Sequence, residues 1–212
     1  MINQQFELVP IGGLSIAEMP ITISVIILDC STSMGKYGQT PGAAVDAHIV
    51  ALQGQEECQY ICGVVGFADD ARIIIPLSPV EKISGMGRFE ARGNTKLYDT
   101  VRMVLQNLMS KFQETPLEYL LNLRINVAVF SDGADNLSED GSSKHLRNLS
   151  IVALKMGFNL MTFGIGIDSQ RLAADMGFPT DSEHAKTSTA TSRGVQDSME
   201  FVTRTTTSLH KP

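Results

Sequence analysis

The sequence predicts an α/β domain, a doubly wound and mostly parallel sheet with helices on both faces. Three observations carry that expectation. Apolar runs of strand length alternate with helical stripes; the runs are apolar almost throughout; and two of them end in an aspartate followed by a turn. Strands buried on both faces read as continuous β-branched runs, because helices cover each side. Alternation of strand and helix implies parallel strands joined by right-handed crossovers. With 212 residues, 43% of them hydrophobic, one core can form without disulfide or structural-metal support.

The first 19 residues pattern weakly and read as a lead-in or an added edge strand, with the domain proper at 20–210. Ile21–Leu28 is the first buried strand. Ala44, Val45, His48, Ile49 and Leu52 then recur at helical spacing, placing His48 on an apolar stripe as a core or rim residue. Tyr60–Phe67 and Arg72–Leu77, separated by Ala68-Asp69-Asp70, read as a hairpin. Leu97, Val101, Val104, Leu105, Leu108, Met109 and Phe112 make the clearest helical stripe. Leu123–Phe130 is a further buried strand, followed by a helix near Ser143–Lys155 that Gly157 stops. Asn159–Ile167 reads as a strand, Ser169–Met176 as a short helix ending at Gly177, and Thr187–Ser192 as a Ser/Thr-rich loop. Val195, Met199 and Val202 belong to a last amphipathic helix.

Charge and composition exclude several functions. A net charge of −6 with no Lys/Arg-rich run argues against nucleic acid as a direct partner. No apolar stretch approaches membrane-span length, and no basic-then-apolar leader opens the chain. Cys30, Cys58 and Cys62 read as reduced, buried thiols, which with the missing leader suggests a cytoplasmic protein without membrane contact.

The chemistry gathers at the strand ends. Asp29-Cys30-Ser31-Thr32-Ser33 puts a carboxylate and two hydroxyls at alternate positions of a turn. Gly93-Asn94-Thr95 precedes the clearest helix, and Ser131-Asp132-Gly133 closes a second apolar strand. In open α/β sheets ligands bind at the carboxyl ends of strands, where both aspartates fall. Hard oxygen donors of this kind suit Mg²⁺, Mn²⁺ or Ca²⁺. Asp135, Glu139 and Asp140 read as a solvated acidic loop nearby. A phosphotransferase of the haloacid-dehalogenase type needs a second aspartate where Ser31 stands, which argues against that class.

Asp-x-Ser-x-Ser at 29–33, Gly-x-Thr at 93–95 and Asp-Gly at 132–133 resemble the metal-ion-dependent adhesion site of von Willebrand factor A and integrin I domains. Met34-Gly35, Leu97-Tyr98-Asp99 and Ala134-Asp135 follow the three segments as in that family, and the similarity spans roughly residues 20–210. The resemblance implies one Mg²⁺ or Mn²⁺ held by Asp29, Ser31, Ser33, Thr95 and Asp132, with a coordination position left for a partner's Asp or Glu. Stand-alone, leaderless members resemble bacterial intracellular proteins of the tellurium-resistance, TerY-like kind, adaptors beside AAA+ ATPases or kinase and phosphatase partners in stress responses. The expectation is therefore a protein-binding adaptor and not an enzyme. The alternative is a metal-dependent hydrolase or phosphatase, which needs a base or a cationic clamp. No such group stands firmly at the strand ends in sequence; Lys96 is the nearest candidate.

Overall fold

Nine consecutive residues, Ile21–Asp29, form strand β1 and every one of them is buried. Such a strand has to lie mid-sheet under two helical layers. In the computed structural model, which describes residues 19–209, it does. The six-stranded sheet runs β3-β2-β1-β4-β5-β6. Its other strands are β2 (Gln59–Phe67), β3 (Ala71–Pro79), β4 (Leu123–Ser131), β5 (Asn159–Ile165) and β6 (Ala185–Ser188). β1 pairs in parallel with β2 and β4, β4 with β5, and β5 with β6. Among the described residues only the β2–β3 hairpin is antiparallel, so the doubly wound, mostly parallel expectation holds.

Side chains alternate between two cores, as the period of a strand requires. Ile23, Val25 and Ile27 of β1 face Val101, Leu105 and Leu108 of α2 (Leu97–Glu114), Leu146 of α4 (Ser142–Lys155) and Leu172 of α5 (Ser169–Met176). Ile26 and Leu28 face Val45 and Ile49 of α1 (Thr40–Gln53) and Met199 and Val202 of α6 (Ser192–Ser208). The one-turn helix α3, Leu117–Leu120, leads into β4. Among the described residues no helix is long and apolar enough to cross a membrane.

Two expectations need correcting. Residues 185–188, partly within the expected Ser/Thr-rich loop, form the edge strand β6. Its sequence Ala-Lys-Thr-Ser has no apolar run to announce it, and backbone pairing to β5 alone defines it. The strand expected to reach Ile167 stops at Ile165, because Gly166 takes φ +76° and its N–H donates to Ser188 O at 2.8 Å. The proposed lead-in or extra edge strand falls, for residues 1–18, outside the described residues.

The α6 face carries a buried polar seam. His48 Nε2 lies 3.0 Å from Ser24 Oγ of β1, and His48 Nδ1 lies 2.9 Å from Thr203 Oγ1 of α6. Asn126 Nδ2 donates to Thr206 Oγ1 at 2.6 Å and Asn126 Oδ1 accepts from Asn159 Nδ2 at 3.0 Å. Burial holds the His48 imidazole down at about 4, because desolvation penalises the charged ring. The unfolded chain therefore binds a proton that the folded chain refuses. That contribution to stability is complete above the unfolded pKa of about 6.5 and is lost as pH falls towards 4. The loss is about 3 kcal/mol. Urea unfolding of the wild type and His48→Gln at pH 7 and pH 4.5 measures it, and the variant should lose less stability between the two.

Candidate metal centre

From β1 the chain passes to β2 on one side, and after β3 it returns to β4 on the other. The loops leaving β1 and β4 consequently diverge, opening the crevice in which such sheets bind ligands. Asp29 is the last residue of β1, Ser131 the last of β4, and Asp132 follows it. Asp29 has no solvent exposure. Its Oδ1 accepts from Ser31 N at 2.8 Å and its Oδ2 from Ser131 Oγ at 2.5 Å. The Ser31 and Ser33 hydroxyls are 3.0 Å apart, and Ser33 Oγ donates to Asp132 Oδ1 at 2.5 Å. A 3₁₀ helix over Thr32–Tyr37 produces this convergence, pinned by buried Met34 and Tyr37.

Thr95 arrives on a third loop, tied to the first. Thr32 N and Oγ1 both donate to Gly93 O, at 3.1 and 3.0 Å, and Arg92 N donates to Cys30 O at 2.8 Å. Gly93 needs its missing side chain twice: φ is +78°, and a Cβ would collide with the Asp69 carboxylate, which accepts from Asn94 N at 2.9 Å. Thr95 N donates to Asn136 Oδ1 at 2.8 Å and Thr95 O accepts from Asn136 N at 3.0 Å. Its hydroxyl faces Gly133, 3.9 Å from where a Cβ there would stand. Four of the five expected residues thus form one hydrogen-bonded run, and Thr95 stands at its margin beside the Asp132–Gly133 turn.

Burial pushes the Asp29 carboxyl above the usual carboxylate range; the Ser131 and Ser31 donors pull against that, and the Asp132 charge adds to it. Across the site, Lys36 Nζ lies 2.8 Å from Asp132 Oδ2, and pairing with this carboxylate draws the ammonium above its ordinary value.

Three participants were missed in the sequence. Ser131 bonds Asp29 directly. Lys36 follows the motif on the 3₁₀ turn that brings it back over the site, so the cationic group missing in sequence is present. Lys96 instead points to Asp99, with Nζ 3.9 Å from Oδ2. Asp135 is the third, and its reading as a solvated loop residue is corrected. Its Oδ1 accepts from Leu97 N at 2.7 Å and Tyr98 N at 3.2 Å, capping α2 from a distant loop.

Among the described residues no group of three or more His, Cys, Asp and Glu is placed to hold a metal ion. A cation here would rest on two carboxylates and neighbouring hydroxyls, a donor set for hard ions. Asp132 Oδ2 supports the fit. It is buried, has no hydrogen bond of good geometry, and already draws an ammonium to 2.8 Å.

No protein-family model and no curated protein matches the sequence. Solved structures do match the fold. The chain aligns with von Willebrand factor type A from Catenulispora acidiphila at a TM-score of 0.61 and 19% identity, covering 90% of this chain and 43% of that one. The SpRpn10 VWA domain gives 0.59 and 19%, over 84% and 93% of the two chains. The vWF domain of the type V pili tip protein Mfa5 from Porphyromonas gingivalis gives 0.63 and 13%, over 89% and 96%. The fold is that of von Willebrand factor A domains, and this chain spans less than half of the first of these proteins.

Asp29 yields a directional test. Its raised pKa means that folding disfavours the charge, so Asp29→Asn, free of divalent ions, should melt no lower than wild type. The same variant should lose any rise in melting temperature that Mg²⁺ produces. Thermal melts with and without Mg²⁺ read both effects, and a large drop for the metal-free variant would contradict the first.

Proposed function

We propose that this von Willebrand factor A-fold domain is a divalent-cation-dependent protein-binding module. Asp29, Ser31, Ser33, Thr95 and Asp132 hold Mg²⁺ or Mn²⁺, and an Asp or Glu of a partner protein completes the coordination. The observation that carries this reading is the run Asp29–Ser31–Ser33–Asp132 at the topological switch point, with Thr95 beside it. Five residues binding through one atom each supply at most five oxygens, and Mg²⁺ demands about six. The cation supplies positive charge at the surface, and hydroxyl ligands neutralise little of it, so an incoming carboxylate is the best replacement for water.

The chain's own groups orient that event. Ser131 and Ser31 hold the Asp29 carboxylate still, Asn136 fixes the Thr95 backbone, and Asp69 fixes the loop before it. Apart from Lys36, whose ammonium is paired with Asp132, the site offers two carboxylates and three hydroxyls, a receptor for a cation rather than a set of acids and bases, which favours binding over hydrolysis. The setting that the motif's resemblance implies is an adaptor role beside AAA+ ATPases or kinase and phosphatase partners in a bacterial stress response. That setting rests on analogy of fold and motif.

Thr95→Ala should weaken Mn²⁺ binding in calorimetry by at least about tenfold and shift stability by less than about 1 kcal/mol. Affinity capture from the native source, in Mg²⁺ and then in chelator, should release a partner that the Thr95→Ala protein also fails to hold. A partner retained in chelator by both proteins would sink the reading. Hydrolysis of a phosphate ester by the metal-loaded protein would favour the hydrolase alternative.

A further inference from the structure

We propose that Lys36 is a tethered cation that occupies the carboxylate corner of this site and has to be displaced before a divalent ion binds. The inference rests on the metal-binding reading above and concerns how that binding is tuned.

The placement of Lys36 is not that of a free surface lysine. It belongs to the 3₁₀ helix Thr32–Tyr37, between two residues sunk in the core, Met34 at 0% exposure and Tyr37 at 4%. Gly35 of the same turn lies against Ala91, 3.6 Å from where a Cβ would stand. The backbone is thereby held while the side chain, 51% exposed, reaches back across the site. Its Nζ stands 2.8 Å from Asp132 Oδ2 and 4.9 Å from the centroid of the Tyr37 ring, between a carboxylate and an aromatic face. The Asp132 side chain has no solvent exposure, so its Oδ2 cannot turn to bulk water for a counter-charge.

Asp132 is also one of the two carboxylates proposed to hold the metal. An ammonium and a divalent ion cannot both take Asp132 Oδ2. A cation on a short tether is present at an effective concentration of order millimolar, so the metal competes with it at every concentration. Once displaced, the ammonium stays on the rim, where it adds to the attraction for an acidic partner and repels the bound metal. Lys36 thus sets a threshold of metal concentration for the site, and the carboxylate of an arriving partner lowers that threshold by pairing with the released ammonium.

The experiment is a Mn²⁺ titration of the full chain by calorimetry, at low and high ionic strength. Wild type, Lys36→Met, Lys36→Arg and Asp29→Asn are compared. Lys36→Met should bind Mn²⁺ about twofold to fivefold more tightly than wild type, the scale of one ion pair. Lys36→Arg should bind like wild type, and the gain for Lys36→Met should shrink in high salt. Free of metal, Lys36→Met should melt below wild type and regain the difference when Mn²⁺ is added. Equal or weaker binding by Lys36→Met, with binding abolished in Asp29→Asn, would overturn the role of Lys36 and leave the metal site standing. Undiminished binding by Asp29→Asn would instead overturn the metal reading, and this proposal with it.

Discussion

A carboxylate without solvent exposure closes the central strand, and the upper end of the molecule is organised by the need to satisfy it. Desolvating a charge is costly unless hydrogen bonds replace the lost water. Asp29 recovers them from Ser31 N on its own loop and Ser131 Oγ on the neighbouring strand. The second of these joins the β1 and β4 ends, and the Gly93 carbonyl, held by Thr32, joins the third loop to the first. The geometry that brings the hydroxyls together is the same geometry that makes the buried charge tolerable.

The two helical layers contribute unequally to this arrangement. The α2–α4–α5 side packs apolar side chains onto the sheet. It also receives polar restraints between its elements: Asp135 and Ser138 cap the start of α2, and Ser150 Oγ of α4 donates to Met176 O of α5 at 2.8 Å. The opposite side mixes apolar packing with the Ser24–His48–Thr203 and Asn159–Asn126–Thr206 bonds, which give α6 one defined seat. Buried polar groups that are fully partnered specify a register that hydrophobic contact alone leaves degenerate.

Much of the fold was legible because it depends on burial. Ile21–Leu28, Leu123–Phe130 and the α2 stripe carry patterns that no other environment rewards. β6 was not legible, since a four-residue polar edge strand is defined by its neighbour's backbone rather than by its own side chains. The same division runs through the site. Asp29, Ser31, Ser33, Thr95 and Asp132 were legible as three short segments, and the structure brings them to one crevice. Ser131 was legible only as a neighbour of Asp132, because its role depends on its opposing Asp29 across the sheet. Lys36 and Asp135 act at range: one folds back over a 3₁₀ turn, the other caps a helix that starts 38 residues earlier in the chain. Sequence spacing does not encode either return.

The two margins of the sheet have a consequence for how copies of the molecule meet in a crowded solution. β3 carries Pro76 and Pro79, which have no amide hydrogen to offer, and its pairing with β2 is broken by register shifts. β6 is only four residues long. Among the described residues neither border presents the long, regular row of donors and acceptors on which another chain's strand would extend the sheet. Each edge thus disfavours addition of a foreign strand to the folded sheet, and the continuous apolar strands β1 and β4 stay in its interior, away from either border.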